Sequence, residues 1–188
     1  MSTTERERRA AQHGLSLIEL LAFIVVVGVA VGGVLSVYSL ASRSSADPML
    51  RKQALAVAES LLEEVLAKPY TYCDPDDVNA EMAGSAADCA TLAETAMGPE
   101  AGEDRYSNVE PYDNVNDYHG FSMTGINGPD NAPAPGLGGY TAQIEVAPVG
   151  AFNGIPAGET LRVTVTVTAP GTPSIRLSGY RTRYAPNF

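Results

Sequence analysis

The stretch GLSLIELLAFIVVVGVAVGGVLSVYSLAS, residues 14–42, decides how the rest of the chain is read. From Leu20 to Ser42 it holds 23 residues without Asp, Glu, Lys, Arg or His. At ~1.5 Å rise per residue an α-helix of that length covers about 34 Å, enough for the ~30 Å hydrocarbon core of a bilayer. Ahead of it, residues 1–13 carry Arg6, Arg8 and Arg9 against Glu5 and Glu7, and the terminal amine adds a further positive charge. Positive flanks stay cytoplasmic, so everything after the run is expected to be exported. A secretory signal has a shorter apolar core, ~7–15 residues, before its small-residue cleavage site. Ser39 and Ala41 offer such a site, but the run is too long for it. A plain signal anchor fits the length and leaves Glu19, at the head of the run, unexplained. A carboxylate there is costly in a membrane and requires a specific partner, although a first-turn Glu also gains from the helix dipole.

Beyond the run, Leu50, Ala54, Ala58, Leu61 and Val65 recur as one helical stripe, with Arg51, Lys52, Glu59, Glu63 and Lys68 largely off it. Lys68 before Pro69 reads as a stop. Asp47 followed by Pro48 reads as an N-cap with proline at the first helical position, so a kink or restart is expected there. Gly28, Gly32 and Gly33 form a second weak zone, each costing ~1 kcal/mol relative to Ala in a helix. Residues 69–138 are rich in Gly, Pro, Asp and Asn without periodicity and read as a long irregular region. The last fifty or so residues switch to a period of two: Tyr140, Ala142, Ile144 and Val146 form one apolar face, and Leu161, Val163, Val165 and Val167 a second. A third strand begins at Ile175 and Leu177, with Gly179 read as a bulge that hands the apolar face to Tyr180 and Tyr184. A sheet apolar on one face needs a lid, and the helix ending at Lys68 supplies it. The expected class is α+β: a long N-terminal apolar helix packed on a C-terminal antiparallel sheet, with a long irregular loop between them.

The chain has 188 residues and a formal net charge of −10. The acid is concentrated in residues 69–138, where 13 Asp or Glu face Arg105 as the only basic residue. With no Lys/Arg cluster interleaved with aromatics, nucleic acid is not an expected partner. The same region holds the only two cysteines, Cys73 and Cys89. In an exported segment a disulfide is the favoured reading; a zinc or redox site lacks a CxxC pair and has only His13 and His119 to draw on. The acidic loop invites comparison with calcium loops. From Asp74 the EF-hand spacing holds at Asp76 and fails at Val78; from Asp113 it fails at Val115, and no Gly follows Asp117. A solvated loop with no metal is therefore the expectation, the alternative being a non-EF-hand calcium site on Asp113, Asn114, Asn116 and Asp117. Nothing points to catalysis: there is no GxSxG elbow, Lys52 and Lys68 follow no phosphate loop, and His119 is the one exported His. No enzyme is expected.

A polar leader ending in Gly14, then an apolar residue, a Glu at the fifth position and a long apolar helix together resemble the class III leader of type IV pilins and the related pseudopilins. Leu15 and Ser16 stand where Phe and Thr are commoner. Two further blocks, DPMLRKQALAVAESLLEEVLAKPY (47–70) and YDNVNDYHGF (112–121), are similar to minor pilins of the mannose-sensitive haemagglutinin pilus. The resemblance implies a pilin fold, and cleavage after Gly14 by a prepilin peptidase with methylation of Leu15. It also implies that Glu19 pairs with the new Leu15 amine of a neighbouring subunit. Removing the leader takes away three Arg and two Glu, moving the net charge from −10 to −11. The implied segments are a leader (1–14), a transmembrane and filament-core helix (15–42), an amphipathic helix of the head (43–68), the acidic loop region (69–138) and the sheet (139–188). The implied partners are membrane lipid before assembly, other pilin subunits through the N-terminal helix, and the inner-membrane assembly platform. The place is the bacterial inner membrane, with a periplasmic head, and then an extracellular pilus. A pseudopilin of a type II secretion system shares this architecture, and a signal-anchored periplasmic domain that never polymerises is the rival outside it.

Overall fold

The computed structural model describes residues 16–183, with the side chains of 42–47 outside that description. Gly14, Leu15 and Tyr184 lie outside the described residues. The elements in order are α1 (Leu17–Leu66), β1 (Ser122–Thr124), β2 (Thr141–Pro148), β3 (Thr160–Thr168) and β4 (Ile175–Thr182), with single 3-10 turns at Ala86–Asp88 and Asn116–Tyr118. The chain divides into two compact units between Ala46 and Asp47.

In the first unit, Leu17–Ala41 is a 25-residue helix of mean hydropathy 2.8 with no buried residue in its most apolar window. Ser16 caps its start: the Glu19 amide donates to Ser16 Oγ at 3.3 Å. Helix α1 passes through Gly28, Gly32, Gly33 and Pro48 without a break. A restart at Asp47 is therefore not seen, and Asp47 is an interior residue of α1 rather than an N-cap. A proline removes one i to i−4 hydrogen bond, and good helix formers on its C-terminal side (Met49, Leu50, Arg51, Lys52) carry the helix on. α1 ends at Leu66, after which the Lys68 amide donates back to Val65 O at 3.1 Å just ahead of Pro69.

The second unit is built on a meander. Its four strands lie in the order β1-β2-β3-β4, every neighbour antiparallel. The register places Ala142 opposite Val167, Ile144 opposite Val165, and Val146 opposite Val163. With a period of two, these side chains share one face. Leu161, Val163, Val165 and Val167 are wholly buried there, under Ala54, Val57, Ala58, Leu61 and Val65 of α1. Each buried Val or Leu contributes about 1.5–3 kcal/mol, so this seam is the principal apolar core of the head. The opposite face is polar, with Thr164 and Ser178 hydroxyls paired at 3.1 Å.

The bulge expected at Gly179 is absent. Gly179 pairs regularly with Val163, and Tyr180 with Arg162. Tyr180 points away from the core, 48% exposed, with its ring stacked on Phe152 at 4.8 Å between centroids. Glycine here lets the helix come close: a Cβ at 179 would stand 2.7 Å from Leu66 Cδ1, which would have to shift. The short strand β1, three residues long, lies inside the region read from sequence as irregular.

Candidate metal centre

Residues 69–121 have no strand or helix longer than a turn, so their backbone is organised by side chains. The chain leaves α1 and runs through Thr71 to Asp74 beside a returning segment, Leu92 to Glu94: the Asp74 amide donates to Leu92 O at 3.0 Å and the Glu94 amide to Tyr72 O at 2.9 Å. A disulfide between Cys73 and Cys89, Cα atoms 5.5 Å apart, closes that loop. Inside it, Asp77 accepts four amides: Asn79 at 2.8 Å and Ala90 at 3.1 Å on Oδ1, Thr91 at 2.8 Å and Leu92 at 2.9 Å on Oδ2. These donors, the Leu92 and Thr91 amides foremost, hold its carboxyl well below the usual carboxylate range.

The 113–117 segment folds against this clip. Asn114 is buried and spent on structure, its Nδ2 donating to Thr71 Oγ1 at 2.7 Å and its Oδ1 accepting the Val115 amide at 2.9 Å. Asp117 Oδ2 accepts the Asn114 and Asp113 amides at 2.6 and 3.0 Å. Asn116 Nδ2 donates to Glu94 Oε2 and to Ala96 O.

Six carboxylates converge between the clip and this segment. Ligand oxygens lie within 4.8 Å of one another in three overlapping groups: Asp74, Glu103 and Asp113; Asp74, Glu94 and Glu100; Glu100, Glu103 and Asp117. Two unit charges at that separation repel by about 3 kcal/mol at an effective dielectric of ~20. Burial first, then neighbouring carboxylates, pushes several of these groups up. Glu94 rises to about 8 against the opposing Asn116 hydrogen bond, and Glu103 to about 8 with the Asp117 charge adding to burial. Asp113 rises to about 7, with Asp74 and Asp117 adding and Lys68 opposing. Asp117 rises to about 6 against the Asn114 and Asp113 amides that favour its charge.

The one basic residue of the region, Arg105, does not relieve them. Its guanidinium forks onto Glu64 of α1, Nε to Oε1 at 2.8 Å and Nη2 to Oε2 at 2.7 Å, and Tyr118 adds a hydroxyl to the same carboxylate at 3.0 Å. Arg105 also lies over the Phe121 ring, 5.3 Å from its centroid. It pins the loop to the helix and is occupied in doing so.

Of the four metal candidates read from sequence, the structure brings Asp113 and Asp117 to the cluster and leaves Asn116 Oδ1 buried and unpartnered beside it, while Asn114 is taken up by the backbone. Asp74, Glu94, Glu100 and Glu103 were missed, because they are scattered over 30 residues with no spacing rule. The available signal was the excess of acid over base in a segment clipped by two cysteines. Five polar residues of the loop expected to be solvated, Asp74, Glu94, Asn114, Asn116 and Asp117, are buried. The disulfide expectation is met. At the other end of the chain Glu19 is exposed in the first turn of α1, and the cleavage and methylation positions Gly14 and Leu15 are outside the described residues. No family model, curated protein or solved structure matches this chain.

Proposed function

We propose that this chain is a minor pilin, a structural subunit of a type IV filament similar to the mannose-sensitive haemagglutinin pilus and resembling its D-type subunit. The observation that carries the reading is the first unit: a 25-residue helix of mean hydropathy 2.8 whose apolar side chains are exposed. Such a helix must be covered by something else, by lipid before assembly and by the helices of other subunits afterwards. Glu19 fits the same account. In lipid an unpaired carboxylate costs several kcal/mol, and the Leu15 ammonium freed by cleavage after Gly14 supplies a partner four residues away in helical spacing. Paired to a neighbour's amine, the carboxylate would make register depend on processing by the prepilin peptidase. Before assembly the subunit would sit in the bacterial inner membrane with its head in the periplasm, engaged by the assembly platform.

Mass spectrometry of the mature amino terminus tests this most directly. The expected species begins with methylated Leu15; an intact leader, or cleavage after Ala41, would overturn the proposal. Glu19→Lys is expected to insert in the membrane normally and to be lost from sheared filaments, and normal incorporation of that variant would remove the pairing role. The same subunit in a secretion pseudopilus would pass the first test and fail to co-purify with surface pili.

A further inference from the structure

From the convergence of buried, unpartnered oxygens in the head we infer that the basin formed by Asp74, Glu94, Glu100, Glu103, Asp113 and Asp117 is a calcium site. The cluster alone would not carry this, since acidic loops are commonly solvated. Three side chains that are at least nine-tenths buried carry it: Glu94 at 8% exposure, Asn116 at 1% and Asp117 at 0%. Each holds one oxygen with no hydrogen-bond donor, Glu94 Oε1, Asn116 Oδ1 and Asp117 Oδ1, and Glu100 Oε2 and Asp113 Oδ1 share that condition. A buried acceptor without a donor is rare in a folded protein and calls for an explanation, such as a bound ion. A cation suits the basin, because its unpartnered atoms are all oxygens and its side chains are mainly carboxylates. Arg105 is committed to Glu64, and Lys68 acts on Asp113 only as a minor opposing charge.

The chemistry of the donors selects the ion. The set contains carboxylate and amide oxygens and no His or Cys, which suits a hard cation over zinc, copper or nickel. Calcium accepts six to eight oxygens at about 2.3–2.6 Å in irregular arrangements, so two ligands of one ion stand at most about 5.2 Å apart, a condition each of the three groups meets. Magnesium needs a near-ideal octahedron and keeps several of its waters, for which this crowded and uneven basin is unsuited. The ion would tie the disulfide clip (Asp74, Glu94) to the 100–103 turn and to the 113–117 segment, three stretches that share no strand or helix.

The test uses the full processed chain in detergent, stripped with EDTA and titrated with CaCl2 or MgCl2 while heat of binding and thermal midpoint are followed. Calcium is expected to bind and to raise the midpoint, with magnesium binding more weakly because the basin does not offer its octahedron. Glu100→Gln and Asp113→Asn are the informative variants, because neither side chain caps a backbone amide and the fold should survive both. Each is expected to weaken calcium binding by about 10-fold or more, while Glu81→Gln, exposed and outside the basin, leaves it unchanged. Absence of any calcium response in correctly folded, oxidised protein would overturn the inference. So would equal binding of the two ions, or unaltered affinity in both basin variants.

Discussion

Where β3 meets α1, the interior of the head is Leu161, Val163, Val165 and Val167 against Ala54, Ala58 and Leu61; where residues 69–121 fold back on themselves, Asp74, Glu94, Asn114, Asn116 and Asp117 are buried alongside Val115 and Tyr118. The first interior is complete as it stands, since apolar surfaces satisfy one another by contact and the strand register aligns them. The second is complete only where donors meet acceptors. Asp77 shows it completed, with one carboxylate and four amides. Asp117 shows it half completed, one oxygen accepting two amides and the other accepting none. A polar interior built from acids is thus stable in proportion to what it binds, and an apolar one is not.

The largest effect expected from breaking this contrast is in the apolar half. Leu161→Ala removes a fully buried side chain near the start of β3 and should cost about 2–5 kcal/mol, read as a lower urea midpoint that calcium and EDTA alter by the same amount as in the wild-type chain. In the polar half, the paired change Cys73→Ser and Cys89→Ser opens a loop of sequence separation 16. It should cost about 3 kcal/mol in the chain-entropy account, and, unlike Leu161→Ala, it should also weaken calcium binding, because Asp74 and Glu94 sit on the clip. A Cys pair variant that binds calcium as tightly as the wild type would separate the clip from the basin.

A smaller and more diagnostic effect is the dependence on pH. A carboxyl whose pKa is higher folded than unfolded binds more protons in the folded chain, so stability falls as pH rises between the two values. Glu94 and Glu103 move from 4.5 to about 8, Asp113 from 3.8 to about 7 and Asp117 from 3.8 to about 6. In EDTA the thermal midpoint should therefore decline from about pH 5 to pH 8, while Asp74, Glu100 and Lys68 face the same basin and set the local field. Asp77 works in the other direction, because its folded pKa is depressed below 3.8: its contribution is present above that value and is lost as pH falls through the acid range. Saturating calcium should flatten the decline above pH 5 and leave the acid limb in place. A midpoint that climbs from pH 5 to 8 in EDTA would contradict the crowding of the basin.

The same contrast explains what could be read from the chain. Helix α1 and strands β2 and β3 were legible because burial there is periodic: Ala54, Ala58, Leu61 and Val65 recur at helical spacing, and Val163, Val165 and Val167 at spacing two. The disulfide was legible from there being only two cysteines in a segment expected to be exported. The basin was not, since its six acids come from three stretches joined by side chain to backbone bonds, and such bonds leave no period. Asp113 and Asp117 were visible as a local run, but their partners Asp74, Glu94, Glu100 and Glu103 become neighbours only once Asn114 bonds Thr71 and Asn116 bonds Glu94. Gly179 was misread because glycine in a strand signals either a bulge or a close approach, and the sequence does not say which.

That ambiguity supplies the smallest expected effect. If Gly179 made a bulge, alanine would disturb the pairing of β4 with β3 whatever the helix carried. As a site of close approach, its cost should depend on Leu66, whose Cδ1 lies 2.7 Å from where the Cβ would stand, with Leu62 Cδ1 next at 3.4 Å. Leu66 Cδ1 is the tip of a flexible side chain at the end of α1, so it can yield, and Gly179→Ala alone should cost about 1 kcal/mol at most. Gly179→Val cannot be absorbed in the same way and should fall toward the upper part of the ~1–3 kcal/mol range of overpacked cores. The decisive measurement is a double-mutant cycle: with Leu66→Ala already in place, the cost of Gly179→Ala should vanish, giving a coupling of at least about 0.5 kcal/mol. Additive changes would show that the apolar seam closes on this glycine for some reason other than the leucine that covers it.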